Sequence, residues 1–133
     1  MRHAVYGRKL GRDTKARKAL LRNLASDFLV RGSIETTVSK AKFARPFIEK
    51  LITHAKKSSL VRNRALASVL TGAAFNQLTN VIGPGMKNRT GGYLRITRLS
   101  LRRGDSAPMA KLEFLNIEKT KLEKTDLTKP KKI

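Results

Sequence analysis

Thirty Lys and Arg against nine Asp and Glu give this chain of 133 residues a formal net charge of +21, and such self-repulsion destabilises a compact state unless counter-charge is bound. With no Cys the sequence excludes a disulfide framework and a thiolate zinc site, and no apolar run reaches the roughly 18 residues of a membrane span. No apolar region of a signal peptide follows the basic start, so a soluble, unexported, single-domain protein with one modest core and a polyanionic partner is expected.

The opening MRHAVYGRKLGRDTKARKALLRNLA sets eight bases, Arg2, Arg8, Lys9, Arg12, Lys15, Arg17, Lys18 and Arg22, against one acid, Asp13. Up to Arg12 the segment has Gly7 and Gly11 and no apolar period. Residues 1–12 are therefore expected to form a basic arm, mobile in isolation, because too little hydrophobic surface offsets the entropy of ordering it. From Thr14 a helical period begins, capped by Asp13 or Thr14 and stopped by Gly32. Lys15, Lys18 and Arg22 fall on one face of this helix and Leu20, Leu21, Leu24 and Phe28 on the other.

Ser33 to Val38 alternates β-branched and polar residues and reads as a short strand. Ser39 can cap a second helix whose stripe is Ala41, Ala44, Ile48, Leu51, Ile52 and Ala55, with Pro46 predicting a start near Arg45 or a kink there. A third helix is expected over Leu60 to Leu70, its core stripe being Val61, Ala65, Leu66 and Val69, and Gly72 interrupts it. A fourth runs from Ala73 to Ile82, ended by Gly83, Pro84 and Gly85.

From Tyr93 to Arg103 the period falls to two. Leu94 and Ile96 share one parity but Leu99 and Leu101 the other, which predicts a β-bulge near Thr97 and Arg98. A turn over Gly104 to Pro108 leads to a partner strand with Ala110, Leu112 and Phe114 facing inward. The predicted fold is α+β: about four helices packed on a small sheet with a C-terminal antiparallel hairpin, over residues 13–115. Residues 116–133 are Lys-rich and weakly apolar and are expected to be a disordered tail.

Between Glu49 and Asp105 there is no acid, whereas the interval holds Lys50, Lys56, Lys57, Arg62, Arg64, Lys87, Arg89, Arg95, Arg98, Arg102 and Arg103. Solvated protein surfaces normally mix signs. Exclusion of acids from a segment that keeps its core periodicity indicates a folded body lying against phosphates over several elements.

Catalytic chemistry is not legible. His3 and His54 lack acids at triad or metal spacing, the acids form no cluster, and the glycines follow neither a Walker nor a dinucleotide pattern. No enzyme, metal or cofactor is expected. With no Trp, and with Phe28, Phe47, Phe75 and Phe114 mostly on core stripes, recognition of splayed single strands is disfavoured. Structured RNA, read through shape and phosphate, suits a basic body with an arm better than a DNA groove does.

MRHAVYGRKLGR, IETTVSKAKFARPFIEKLITHAKK, GGYLRITRL and RRGDSAPMAKLEF occur in that order between Met1 and Leu115. Together they resemble the family of bacterial ribosomal protein seventeen of the large subunit. The resemblance implies a structural constituent of the large ribosomal subunit, bound to ribosomal RNA near the peptide exit region and supporting assembly. Neighbouring large-subunit ribosomal proteins are its further implied partners. It also implies a cytoplasmic ribosome, with no membrane and no small-molecule substrate. By motif it points to Arg2, His3, Gly7, Arg8, Lys9, Leu10 and Arg12 in the arm, Lys40 and Lys42 at the second helix, and Arg89, Arg95 and Arg103. Charge adds Lys15, Lys18, Arg22, Lys56, Lys57, Arg62, Arg64, Lys87, Arg98 and Arg102, which completes the expected RNA-binding set.

Overall fold

The computed structural model describes residues 8–57 and 59–115. Its first helix, α1 (Thr14–Arg31), begins where Asp13 accepts a hydrogen bond from the Ala16 N–H at 2.9 Å. It ends at Gly32, whose φ of 78° suits a residue without Cβ and whose N–H reaches the Phe28 carbonyl at 2.8 Å. Both ends match the sequence reading; the buried face does not. Ala25, Ser26, Phe28 and Leu29 are buried, while Leu20, Leu21 and Leu24 are only half-buried. All four buried residues lie in the C-terminal half, because only there does the body cover the helix.

Strand β1 (Ser33–Thr37) gives way directly to α2 (Val38–Lys56), so Val38 opens a helix rather than closing a strand. Thr37, not Ser39, occupies the N-cap position, and Ser39 instead accepts a hydrogen bond from Arg8. Nor does Pro46 delay the helix. Ala41, Ala44, Ile48, Leu51 and Ile52 form one buried stripe on both sides of it. Pro46 itself is exposed, so the donor it lacks is missing on the solvent side while continuous packing holds the axis.

Helix α3 (Leu60–Ala67) is capped by Ser59 and is three residues shorter than the sequence reading. Its predicted stripe is also corrected. Leu66 and Leu70 are buried and Val69 half-buried, whereas Ala65 is exposed and Leu60 and Val61 are 66% and 77% exposed. The core covers only the end of this short helix, and Leu70 reaches it from the turn that follows.

Gly72 starts the next helix rather than interrupting one. Thr71 caps α4 (Gly72–Gln77), and its N–H donates to the buried Ser26 hydroxyl of α1 at 3.4 Å. The chain then widens into a π turn (Leu78–Ile82) and continues as α5 (Gly83–Gly85), so the Gly-Pro-Gly sequence extends the rod instead of ending it at Ile82. The reason is local: the Gly83 N–H bonds five residues back to the Leu78 carbonyl. A Cβ on Gly83 would stand 3.1 Å from both that carbonyl and the Ala55 carbonyl of α2, so glycine permits the approach of the two rods.

Strands β2 (Leu94–Leu101) and β3 (Pro108–Phe114) form the expected hairpin. The sheet is antiparallel with order β1-β3-β2. Leu94 pairs with Phe114, Ile96 with Leu112 and Arg98 with Ala110, and the register slips between Arg98 and Leu101, just beyond the predicted bulge. On the other side of β3, Ile34 pairs with Leu112 and Thr36 with Ala110. This inner face meets α1 and α2 in one core, where the Phe28 and Phe114 rings lie 4.5 Å apart. The architecture is α+β, four helical rods on three strands among the described residues, as the sequence predicts. Residues 1–7 and 116–133, including Arg2, His3 and the predicted tail, lie outside the described residues.

Candidate nucleic-acid interface

Four of the six acids among the described residues have internal partners. Asp13 caps α1, Glu49 accepts from Arg45 at 3.2 Å, and Glu113 accepts from Thr97 at 3.3 Å with Lys111 at 3.7 Å. Asp105 takes a forked pair from Arg102 at 3.0 and 2.6 Å. That bond and the Ala107 N–H lower the Asp105 carboxyl to about 2, and Asp105 in turn raises the Arg102 guanidinium. Three of these acids are thereby paired at the surface with a base of the protein itself, and the remaining Lys and Arg outnumber the acids left over.

In the arm, Arg8, Lys9 and Arg12 are exposed. Residues 9–12 form a tight turn, with Leu10 and Gly11 at φ of 54° and 62° and the Arg12 N–H on the Lys9 carbonyl at 3.1 Å. The Arg8 guanidinium donates to Ser39 at 2.9 Å, which brings the arm to the start of α2 beside exposed Lys42 and half-buried Lys40. A groove of about 460 Å³ opens there between α1 and α2. Lys15, Lys18 and Arg22 stand exposed on α1.

A second group gathers where α2 ends. Lys56 donates to the Arg89 carbonyl and to the Tyr93 hydroxyl, the latter at 3.1 Å, and Thr53 lies 3.4 Å from the same hydroxyl. Burial pushes the Tyr93 phenol up, but the hydrogen bonds with Thr53 and Lys56, together with the Lys56 charge, leave it below its ordinary value. Arg89 donates to the Leu115 carbonyl at 2.9 Å. These contacts give Lys56 and Arg89 structural work: they clamp the loop before β2 onto α2 and onto the end of β3. Arg62 reaches the Lys57 carbonyl at 3.4 Å, while Lys57, Arg64 and Lys87 are exposed. Lys56→Ala is expected to lower unfolding stability by about 1–2 kcal/mol, since it removes charged hydrogen bonds in a half-buried site. Lys57→Ala should stay within about 0.5 kcal/mol; equal losses in urea melts of the two variants would show the clamp to be energetically empty.

The third group is the hairpin. Arg95 pairs across from Glu113, and beyond Ile96 every residue of β2 is exposed. Its far end exposes Arg98 and Arg103, and Arg102 within its pair with Asp105, together with Leu99 and Leu101, a basic finger with some apolar surface.

The charge reading counts Lys50 in the acid-free interval but not among the individual RNA-binding residues, and it leaves out Phe43, Pro46 and Phe47. These residues share the α1–α2 groove with Lys42. The available signal was the spacing: 42, 46 and 50, and 43 and 47, are adjacent i, i+4 rows on one helix. No group of three His, Cys, Asp or Glu among the described residues could hold a metal ion, and none of their helices is long and apolar enough to cross a membrane.

The family model for ribosomal protein L17 matches residues 20–115, from within α1 to the end of β3. The chain belongs to the ribosomal protein L17 family. It is therefore a structural ribosomal protein rather than an enzyme. Among L17 relatives, the large ribosomal subunit protein bL17 of Koribacter versatilis is 47% identical over 127 residues, 95% of this chain and 79% of its own length. That of Nautilia profundicola is 47% identical over 120 residues, 86% of this chain and 98% of its own. The three basic groups thus belong to an L17 fold in which four of the six described acids have partners within the chain.

Proposed function

We propose that this protein is a structural constituent of the large ribosomal subunit in the cytoplasm. It binds and neutralises structured ribosomal RNA near the peptide exit region, beside other large-subunit proteins, and supports assembly of the subunit. The observation that carries the reading is the distribution of charge. Among the described residues, exposed Lys and Arg on the arm, α1, α2, α3 and the hairpin are accompanied by six acids, four of which accept hydrogen bonds from the protein itself. The relatives are large-subunit proteins by name, which supports the subunit, and the resemblance of the arm and hairpin motifs supports the exit region. An RNA partner offers phosphates at the density that a +21 protein needs.

If about 8 to 12 phosphates are neutralised, log K for large-subunit RNA falls with log salt at a slope of roughly −6 to −11. A slope shallower than about −3 would count against contact across several elements of the fold, and equal preference for duplex DNA in competition would count against structured RNA as the partner. Sedimentation of the tagged protein with the large subunit tests the assignment to that particle directly.

A further inference from the structure

The groove between α1 and α2 combines two chemistries. Phe43, Pro46 and Phe47 from α2 and Leu21 from α1 supply its apolar walls. All four are half-buried or exposed, so none is fully consumed by the core. Arg8, Lys42 and Lys50 stand at the same groove, each of them exposed, and no acid lines it. At about 460 Å³ it lies within the size range of small-molecule sites.

Aromatic walls call for a planar face, and three cations without an acid call for phosphate; an unpaired nucleotide presents both on one molecule. We propose that this groove receives the base of an unpaired nucleotide of ribosomal RNA, stacked against Phe43 and Phe47, with its flanking phosphates on Arg8, Lys42 and Lys50. The inference rests on the RNA-binding reading and reverses one expectation of the sequence, that splayed bases find no stacking surface, because Phe43 and Phe47 are only half-buried and line the groove. The chain's own residues 1–7 are a poorer occupant: they carry Arg2 and His3 and no acid, so they would add positive charge to a cationic rim. A duplex is poorer too, since its bases are stacked on one another and closed to side chains. The groove gives the protein a way to select looped or bulged RNA, which phosphate contacts alone do not provide.

The test uses the full chain with two hexamers of equal charge, one of adenylates and one abasic, followed by titration and by the aromatic proton spectrum. The adenylate hexamer should bind about 5- to 150-fold more tightly than the abasic one and should shift the Phe43 and Phe47 ring signals upfield. Phe43→Leu should erase that preference and Phe43→Tyr should keep it. Phe43 is not among the hydrophobics packed on the core, and a melting curve like the parent's confirms that the Leu variant is folded. The double variant Lys42→Gln with Lys50→Gln should weaken both hexamers alike. Equal binding of the two hexamers by a protein that still binds large-subunit RNA overturns the groove and leaves the proposed function standing. Failure to bind large-subunit RNA at all would instead remove that function. Normal hexamer-blind RNA binding with Phe43→Leu excluded from subunits would assign the groove to a protein segment, which also overturns the inference.

Discussion

Removal of residues 1–12 is expected to weaken binding to large-subunit RNA by about two to four orders of magnitude while the domain melts as the parent does. The deleted segment carries four cations, Arg2, Arg8, Lys9 and Arg12. Charge-assisted contacts contribute about 1.5–3 kcal/mol each before the entropy of ordering the arm is subtracted, so several of them together dominate the change. Loss of about four phosphate contacts should also flatten the salt slope by roughly 3 units, a signature that a general folding defect does not produce. The fold should survive for three structural reasons. Asp13 remains to cap α1, the core contains no residue from 8–12, and Arg8 is tied to α2 by an exposed hydrogen bond to Ser39. A deletion that unfolds the domain, or one that enters subunits normally, overturns the description of this segment as a binding arm.

Leu29→Asp is expected to fail in the opposite way. Leu29 is fully buried in the cluster that joins α1 to α2 and to the sheet. Truncating a buried Leu alone costs about 2–5 kcal/mol, and an unpaired carboxylate in the same space adds a desolvation penalty of several kcal/mol more. Against a total stability of about 5–15 kcal/mol for a domain, that sum leaves little or no folded population at 25 °C. Leu24→Asp makes the informative control. Leu24 is only half-buried, so its carboxylate can reach water, and the variant should remain folded with a lowered melting temperature. Circular dichroism melts of both variants, with incorporation into large subunits, separate the two failures: the arm deletion keeps its melt and loses its RNA, and Leu29→Asp loses both. Equal melts for Leu29→Asp and Leu24→Asp would show that the cluster around Leu29 is not the core.

Much of the fold was legible because its signals are local. Asp13 and Gly32 bracket α1 through hydrogen bonds to residues three or four positions away. The slip in parity along β2 is visible in the order of Leu94, Ile96, Leu99 and Leu101 without knowledge of the partner strand. The charge map is equally a property of the chain, since the absence of acids from Lys50 to Gly104 can be read before anything is folded. These features determined the α+β class, the hairpin, and the expectation of a polyanionic partner.

Tertiary structure decided what depends on who covers whom. Periodicity gives a helix an apolar face but not the length of that face the body reaches, which is why Leu20 is only half-buried and Val61 exposed while Leu29 and Leu70 are buried. Pro46 reads as a helix start or kink and the Gly83–Gly85 sequence as a stop, because each lacks local support for a helix; both are crossed because continuous packing on either side outweighs a few missing hydrogen bonds. The pairing of β1 with β3 joins residues more than seventy positions apart and leaves no trace in either strand alone. Lys56 and Arg89 looked like any other surface cations until the fold set them against Tyr93 and Leu115. Likewise Arg8, Lys42 and Phe43 become one groove only when the arm lies along the start of α2, because a shared surface is a relation in space that no stretch of sequence contains.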